Sequence, residues 1–152
     1  MPTDIAVPST QTTLILKRTY PVPQQRVFDA WTKPEMLRQW FAAGDDYVGS
    51  LAEVDFRVGG TYRIAMSHVT KNVVHTATGV YREIRSPERL VFTWKWDGSD
   101  AVETLVTIEF RAKGSSTEMV FTHEFFPDAD ARNRHETGWV GCFDKLGRVL
   151  EG

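Results

Sequence analysis

The chain has 152 residues, a formal net charge of -2, 41% hydrophobic residues and 25% charged ones. That is the size and balance of one globular domain, long enough to bury about 68–70% of the surface its unfolded form exposes. Scattered charges exclude a basic nucleic-acid footprint. A single cysteine excludes an internal disulfide and a multi-thiolate zinc site, and no apolar run approaches the ~20 residues of a membrane span.

The opening MPTDIAVPST has neither the basic start nor the apolar segment of a signal peptide. Residues 1–12 are therefore expected to form a loose tail, ahead of a single domain over residues 13–152 that works in the cytoplasm. Leu14 to Tyr20 reads as a strand, broken by Pro21 and Pro23. Gln24 to Trp31 reads as a helix with Val27, Phe28 and Trp31 on one face. Thr32-Lys33-Pro34-Glu35 starts a second helix, because proline suits the first helical position and Glu35 the positive end of the helix dipole. Leu37, Trp40 and Phe41 form its apolar face, and Ala42 to Gly49 is read as a loop.

From Ala52 the period changes to two. Val54, Phe56 and Val58 alternate with Asp55 and Arg57 up to a hairpin at Gly59-Gly60. Tyr62, Ile64, Met66 and His68 alternate along the next strand, which turns around Lys71-Asn72. Val73 to Ile84 is a long strand in which Gly79 marks a bulge or a point of close packing. After a turn at Ser86-Pro87-Glu88, a strand carries Leu90, Phe92, Trp94 and Trp96 and ends at Asp97-Gly98. Val102 to Phe110 alternates again, and beyond Gly114-Ser115-Ser116 a last strand places Met119, Phe121, His123 and Phe125 on one face.

Pro127-Asp128 then opens a terminal helix with Asp128 or Asp130 as N-cap. Trp139, Phe143, Leu146 and Leu150 recur at helical spacing and make an aromatic-rich stripe that must lie on the sheet. Gly138, Gly141 and Gly147 interrupt this helix at ~1 kcal/mol per position. Close packing, spare cavity volume, or a frayed or kinked helix would each account for them. Helices segregated from a meandering antiparallel sheet define an α+β domain.

The order of elements and their motifs resembles the SRPBCC (START/Bet v 1-like) superfamily, in particular the activator of Hsp90 ATPase (AHSA1-like) family. The residues that carry the likeness run from Thr19 to Leu150. They include Val27-Phe28-Asp29-Ala30-Trp31-Thr32, Asp55-Phe56-Arg57-Val58-Gly59-Gly60-Thr61-Tyr62, Gly79-Val80-Tyr81-Arg82-Glu83-Ile84, Pro87 to Trp94, Thr122-His123-Glu124 and Gly138-Trp139. The resemblance implies a helix-grip fold: about seven antiparallel strands curled round the long C-terminal helix, two short helices after the first strand, and a cavity between helix and sheet. It does not carry over an Hsp90 partnership by itself, since the superfamily hosts binding proteins, cyclases, hydrolases and co-chaperones.

His123 continues the face of Met119 and Phe121, so it reads as a ligand hydrogen-bond donor, a general base, or a satisfied core histidine. Asp55, Arg57, Glu83, Glu103 and Glu109 read as exposed charges of a half-wet sheet rather than as an acid/base pair. His68, His75, His123 and His135 match no compact metal motif, and Cys142 reads as a small buried hydrophobe. The tryptophans either line an apolar pocket or fill the interior.

The leading expectation is a small-molecule receptor without a cofactor or bound metal, its ligand apolar or amphipathic. Trp40, Tyr62, Trp94, Trp96, His123, Trp139 and Phe143 are its expected wall. The alternatives are a co-chaperone acting on an Hsp90-type partner through its surface, and a cyclase- or hydrolase-type enzyme using the cavity. Monomer and homodimer remain open, with Val91 and Leu105 as exposed apolar strand residues.

Overall fold

A computed structural model describes residues 9–98 and 101–151. Four helices and seven strands follow in the order α1 (Ser9–Thr12), β1 (Leu14–Tyr20), α2 (Gln24–Thr32), α3 (Pro34–Trp40), β2 (Tyr47–Val54), β3 (Thr61–His68), β4 (Val74–Arg85), β5 (Arg89–Trp96), β6 (Thr104–Lys113), β7 (Ser116–Glu124) and α4 (Ala129–Glu151). All neighbours pair antiparallel, in the spatial order β1-β7-β6-β5-β4-β3-β2. The first strand therefore sits beside the last, and α2 with α3 carries the chain from one sheet edge to the other. The curled sheet grips α4 in its concave face, which is the helix-grip fold.

Alternation explains which face is inside. Val106, Ile108 and Phe110 of β6 and Met119, Phe121 and His123 of β7 are buried, while the residues between them are partly exposed. Trp139, Phe143, Leu146 and Leu150 of α4 meet this face and are fully or almost fully buried. Asp128 accepts the Ala131 amide at 2.8 Å and is the cap of α4. Pro34 takes the first turn of α3, as its sequence predicts.

Three local expectations need correction. Residues 9–12 form one helical turn, α1, where the sequence reads as tail; residues 1–8 lie outside those described. The second strand begins at Tyr47 and ends at Val54, so the expected loop up to Gly49 is partly strand, and Phe56 and Val58 are not. Gly49 makes this placement work: α3 presses so closely there that a Cβ would overlap the Arg38 carbonyl. Phe56 instead lies in the connection to β3, edge-on to Phe28 and Tyr81. Finally, Phe125 has φ 73° and points outward, which hands its inward place to Phe126.

Candidate functional site

Between the sheet and the first half of α4 lies a cavity of about 430 Å³. Its sheet wall is built by Tyr47 of β2, Met66 of β3, His75 of β4, and Trp94 and Trp96 of β5. The register brings these together: Tyr47 faces His68, Met66 faces His75, and Ala77 faces Trp96. The helix wall is the stripe Arg134, His135, Gly138, Trp139 and Cys142, one face of α4 over two turns. Phe41 and Ala43, which follow α3, close the end. The deep residues Phe41, Met66, Trp94, Trp139 and Cys142 are buried, whereas His75 and Arg134 are exposed and mark the mouth.

Apart from the Trp94 indole N–H, the polar groups at depth are internally satisfied. Trp139 Nε1–H donates to His123 Nδ1 at 3.1 Å, and His123 Nε2 lies 2.7 Å from Thr104 Oγ1, which donates to the Trp94 carbonyl at 3.0 Å. This chain fixes His123 as the neutral Nε2–H tautomer, because its Nδ1 already accepts. Burial, with His135 nearby, holds its pKa well below that of an ordinary histidine. His135 is held in the opposite tautomer: its Nε2 accepts Trp96 Nε1–H at 2.8 Å, and its Nδ1 donates to the Ala131 carbonyl at 2.7 Å. Burial lowers its pKa too, against the opposing pull of the Ala131 carbonyl. Trp94 Nε1 has no hydrogen-bond partner. Its ring lies among those of Phe41, Tyr62, Trp96, His123 and Trp139, so aromatic faces are its surroundings.

Of the seven residues expected to form the wall, Trp94, Trp96 and Trp139 line this cavity. Trp40 sits deeper, edge-on to Trp31 at 4.7 Å, with its indole N–H on the Ala30 carbonyl at 2.8 Å. Phe143 is fully buried between Phe121 and Trp31. Tyr62 points inward and donates to the Thr93 carbonyl at 2.5 Å, away from the lining. His123 is fully buried, and both ring nitrogens are occupied as above, which is the satisfied core histidine of the sequence reading.

The sequence reading missed Tyr47, His75, Arg134 and His135 as lining. Arg134 stands four residues before Gly138 and His135 four before Trp139, a helical spacing that could have found them. His75 and His135 enter the sequence reading only through the metal question; among the described residues no group of three or more His, Cys, Asp or Glu is placed to hold a metal.

The helix glycines resolve by position. A Cβ on Gly138 would meet only the Ala43 Cβ, at 3.9 Å, whereas one on Gly141 would stand 3.1 Å from the backbone of both Ala43 and Gly44. Gly138 thus borders spare volume and Gly141 a backbone contact. Cys142 is buried between them and Phe143, and burial pushes its thiol up to about 12.

The sequence model of the family described as Activator of Hsp90 ATPase homolog 1-like protein matches residues 21–151. Among solved structures, protein CV1439 from Chromobacterium violaceum is 27% identical, with TM-score 0.84 over 93% of this chain and 99% of its own. A protein from Rhizobium leguminosarum is 32% identical, with TM-score 0.75 over 91% of this chain and 93% of its own. The AHSA1 protein from Silicibacter pomeroyi, at 22% identity and TM-score 0.79 over 91% of this chain and 97% of its own, shares the fold. No curated protein matches the chain.

Proposed function

The chain belongs to the Activator of Hsp90 ATPase homolog 1-like family, and within that family we propose that it is a receptor for an apolar or amphipathic small molecule. The observation that carries this reading is the cavity itself. Its volume of about 430 Å³ falls inside the range of roughly 300–1,000 Å³ usual for ligand sites. Its walls are mainly aromatic, with few polar groups and the charged Arg134 at the mouth, the pattern by which ligand pockets combine burial with orientation. Ligand capture here is non-covalent. His123 is sealed behind Trp139 and Thr104, and the Cys142 thiol is held protonated, so neither offers a nucleophile or base to an occupant. Residues 13–152 act as one binding domain, for which we assign the cytoplasm as compartment; no helix among the described residues is long and apolar enough to cross a membrane.

The test is a thermal-shift screen against lipids, sterols and aromatic metabolites. A ligand that binds only the folded chain raises the melting temperature further as its concentration rises above Kd. The same shift should vanish in Gly138→Phe, whose ring would project into the cavity. A shift equal in both proteins would place binding elsewhere. The alternative suggested by the family name, stimulation of an Hsp90-type ATPase, predicts activity that Gly138→Phe leaves untouched; the receptor reading predicts none.

A further inference from the structure

We propose that the ligand is an aromatic acid, seated with its ring against the contiguous wall of Trp94 and Trp139 and its oxyanion at the mouth beside Arg134 and His75. This rests on the receptor reading and adds a polarity to it.

The first observation is the sign of the lining. Although the chain carries a net charge of -2, no aspartate or glutamate among the described residues lines the cavity, whose polar side chains include Tyr47, His75, Arg134 and His135. Arg134 is a permanent cation with five donors and no acceptor. Its partner Asp130, 3.2 Å away, forms an i,i+4 pair in which the side chains are 72% and 82% exposed. Such a solvent-screened pair adds little, so the guanidinium is free to engage a second oxyanion.

The second observation is proton bookkeeping at Tyr47 and His75. Tyr47 Oη and His75 Nε2 are 3.3 Å apart. A phenol and a neutral imidazole bring two donor hydrogens, and the contact uses one. Whichever tautomer His75 adopts, one O–H or N–H donor of the pair remains to meet an acceptor. His135, by contrast, is fully engaged by Trp96 and Ala131 and presents its ring to the occupant. The mouth therefore offers donors and positive charge, which an oxyanion satisfies and a ligand ammonium does not.

The third observation concerns the tail. Trp94 and Trp139 lie 4.9 Å apart by centroid, and Phe41 stands 5.9 Å from Trp94 and 6.2 Å from Trp139. At such spacings the three rings pack on one another and form a rigid, continuous aromatic wall, against which a flat aromatic ring can lie by offset or edge-on contact. A flexible chain would lose rotamer freedom there without that gain.

Isothermal titration with 2-naphthoate, 2-naphthamide and 2-naphthylmethylamine tests the inference on the intact chain. Naphthoate should bind about tenfold more tightly than the amide, the scale of one charge-assisted contact, and the amine more weakly than both. Arg134→Gln should reduce naphthoate affinity by roughly 5–10-fold while leaving the amide unchanged. Arg134 is exposed, so folding of this variant is not at stake. The naphthoate preference should shrink as salt is raised, because the mouth is solvent-open. Equal binding of acid and amide, or an Arg134→Gln variant that weakens both alike, would overturn the polarity and leave the receptor reading standing. No heat and no thermal shift with any of the three would overturn the aromatic-acid inference, and the receptor reading falls with it only if lipids and sterols give no thermal shift either.

Discussion

Replacing Gly138 by alanine should stabilise the protein, and the same change three residues later should not. A helix-interior glycine gives up about 0.5–1 kcal/mol relative to alanine, through backbone freedom in the unfolded chain. At position 138 the new methyl would meet only the Ala43 Cβ at 3.9 Å, an ordinary contact. The whole gain should therefore survive, raising the melting temperature by roughly 1–4 °C in a domain of this size. At position 141 the methyl would stand 3.1 Å from the Ala43 carbonyl carbon and the Gly44 nitrogen. Both are backbone atoms that no rotamer change can move. Overpacking of this kind costs about 1–3 kcal/mol, which outweighs the propensity gain and leaves Gly141→Ala less stable by on the order of 1 kcal/mol. Urea unfolding at one pH, with unchanged slope, reads both differences. Should Gly138→Ala destabilise, or Gly141→Ala stabilise equally, the distinction between void and contact along α4 would be wrong.

Other consequences follow from the same contacts. Asp128→Ala removes the cap on the Ala131 amide and should lower stability by about 1 kcal/mol in a urea titration, while Asp130→Ala should change it by much less. His123 and His135 both have folded pKa values lowered by burial, whereas unfolded histidines titrate near ~6.5. The unfolded chain thus takes up more protons below that pH. Their contribution is complete above about pH 6.5 and drains away as pH falls through it toward the folded values, by at most ~1.4 kcal/mol per unit for each group. Urea midpoints across that window should drop steeply, and less steeply in His135→Gln; a flat profile would contradict the assignment. Trp139→Phe leaves His123 Nδ1 buried without its donor and should cost about 1–3 kcal/mol. The Cys142 thiol should resist alkylation in the folded protein and react on unfolding, a comparison that mass spectrometry of labelled chains can make.

The sheet and the terminal helix were legible because their periods are clean. Residues 104–110 and 117–123 alternate without a break, and the stripe from Trp139 to Leu150 repeats at helical spacing. Where the reading failed, the backbone departed from the local pattern. Val54, Phe56 and Val58 alternate as a strand should, yet the chain turns directly after Val54, with the Arg57 amide on the Asp55 carbonyl and the Gly60 amide on the Arg57 carbonyl. Phe125 keeps the parity of His123, but a left-handed backbone turns it outward and Phe126 inward.

The cavity was half legible. Its helical wall follows from i, i+4 spacing on α4, and Trp94 and Trp96 from alternation on β5. Its other wall depends on register: nothing local places Met66 opposite His75, or Tyr47 against His75. Aromatic character alone did not separate wall from core. Trp40 and Phe143 look in sequence like Trp94 and Trp139, and only the depth to which α2 and α4 bury them puts them out of reach of the opening.

The most direct measurement is a spectrum of the five tryptophan indole N–H groups recorded while 2-naphthoate is added. Trp94, Trp96 and Trp139 line the cavity, whereas Trp31 and Trp40 lie behind it. A receptor of the kind proposed should move the first three signals saturably, with the largest shift at Trp94 or Trp139, and leave Trp40 essentially in place. Binding that left Trp94, Trp96 and Trp139 unmoved would show that the space between sheet and helix is not where the ligand goes.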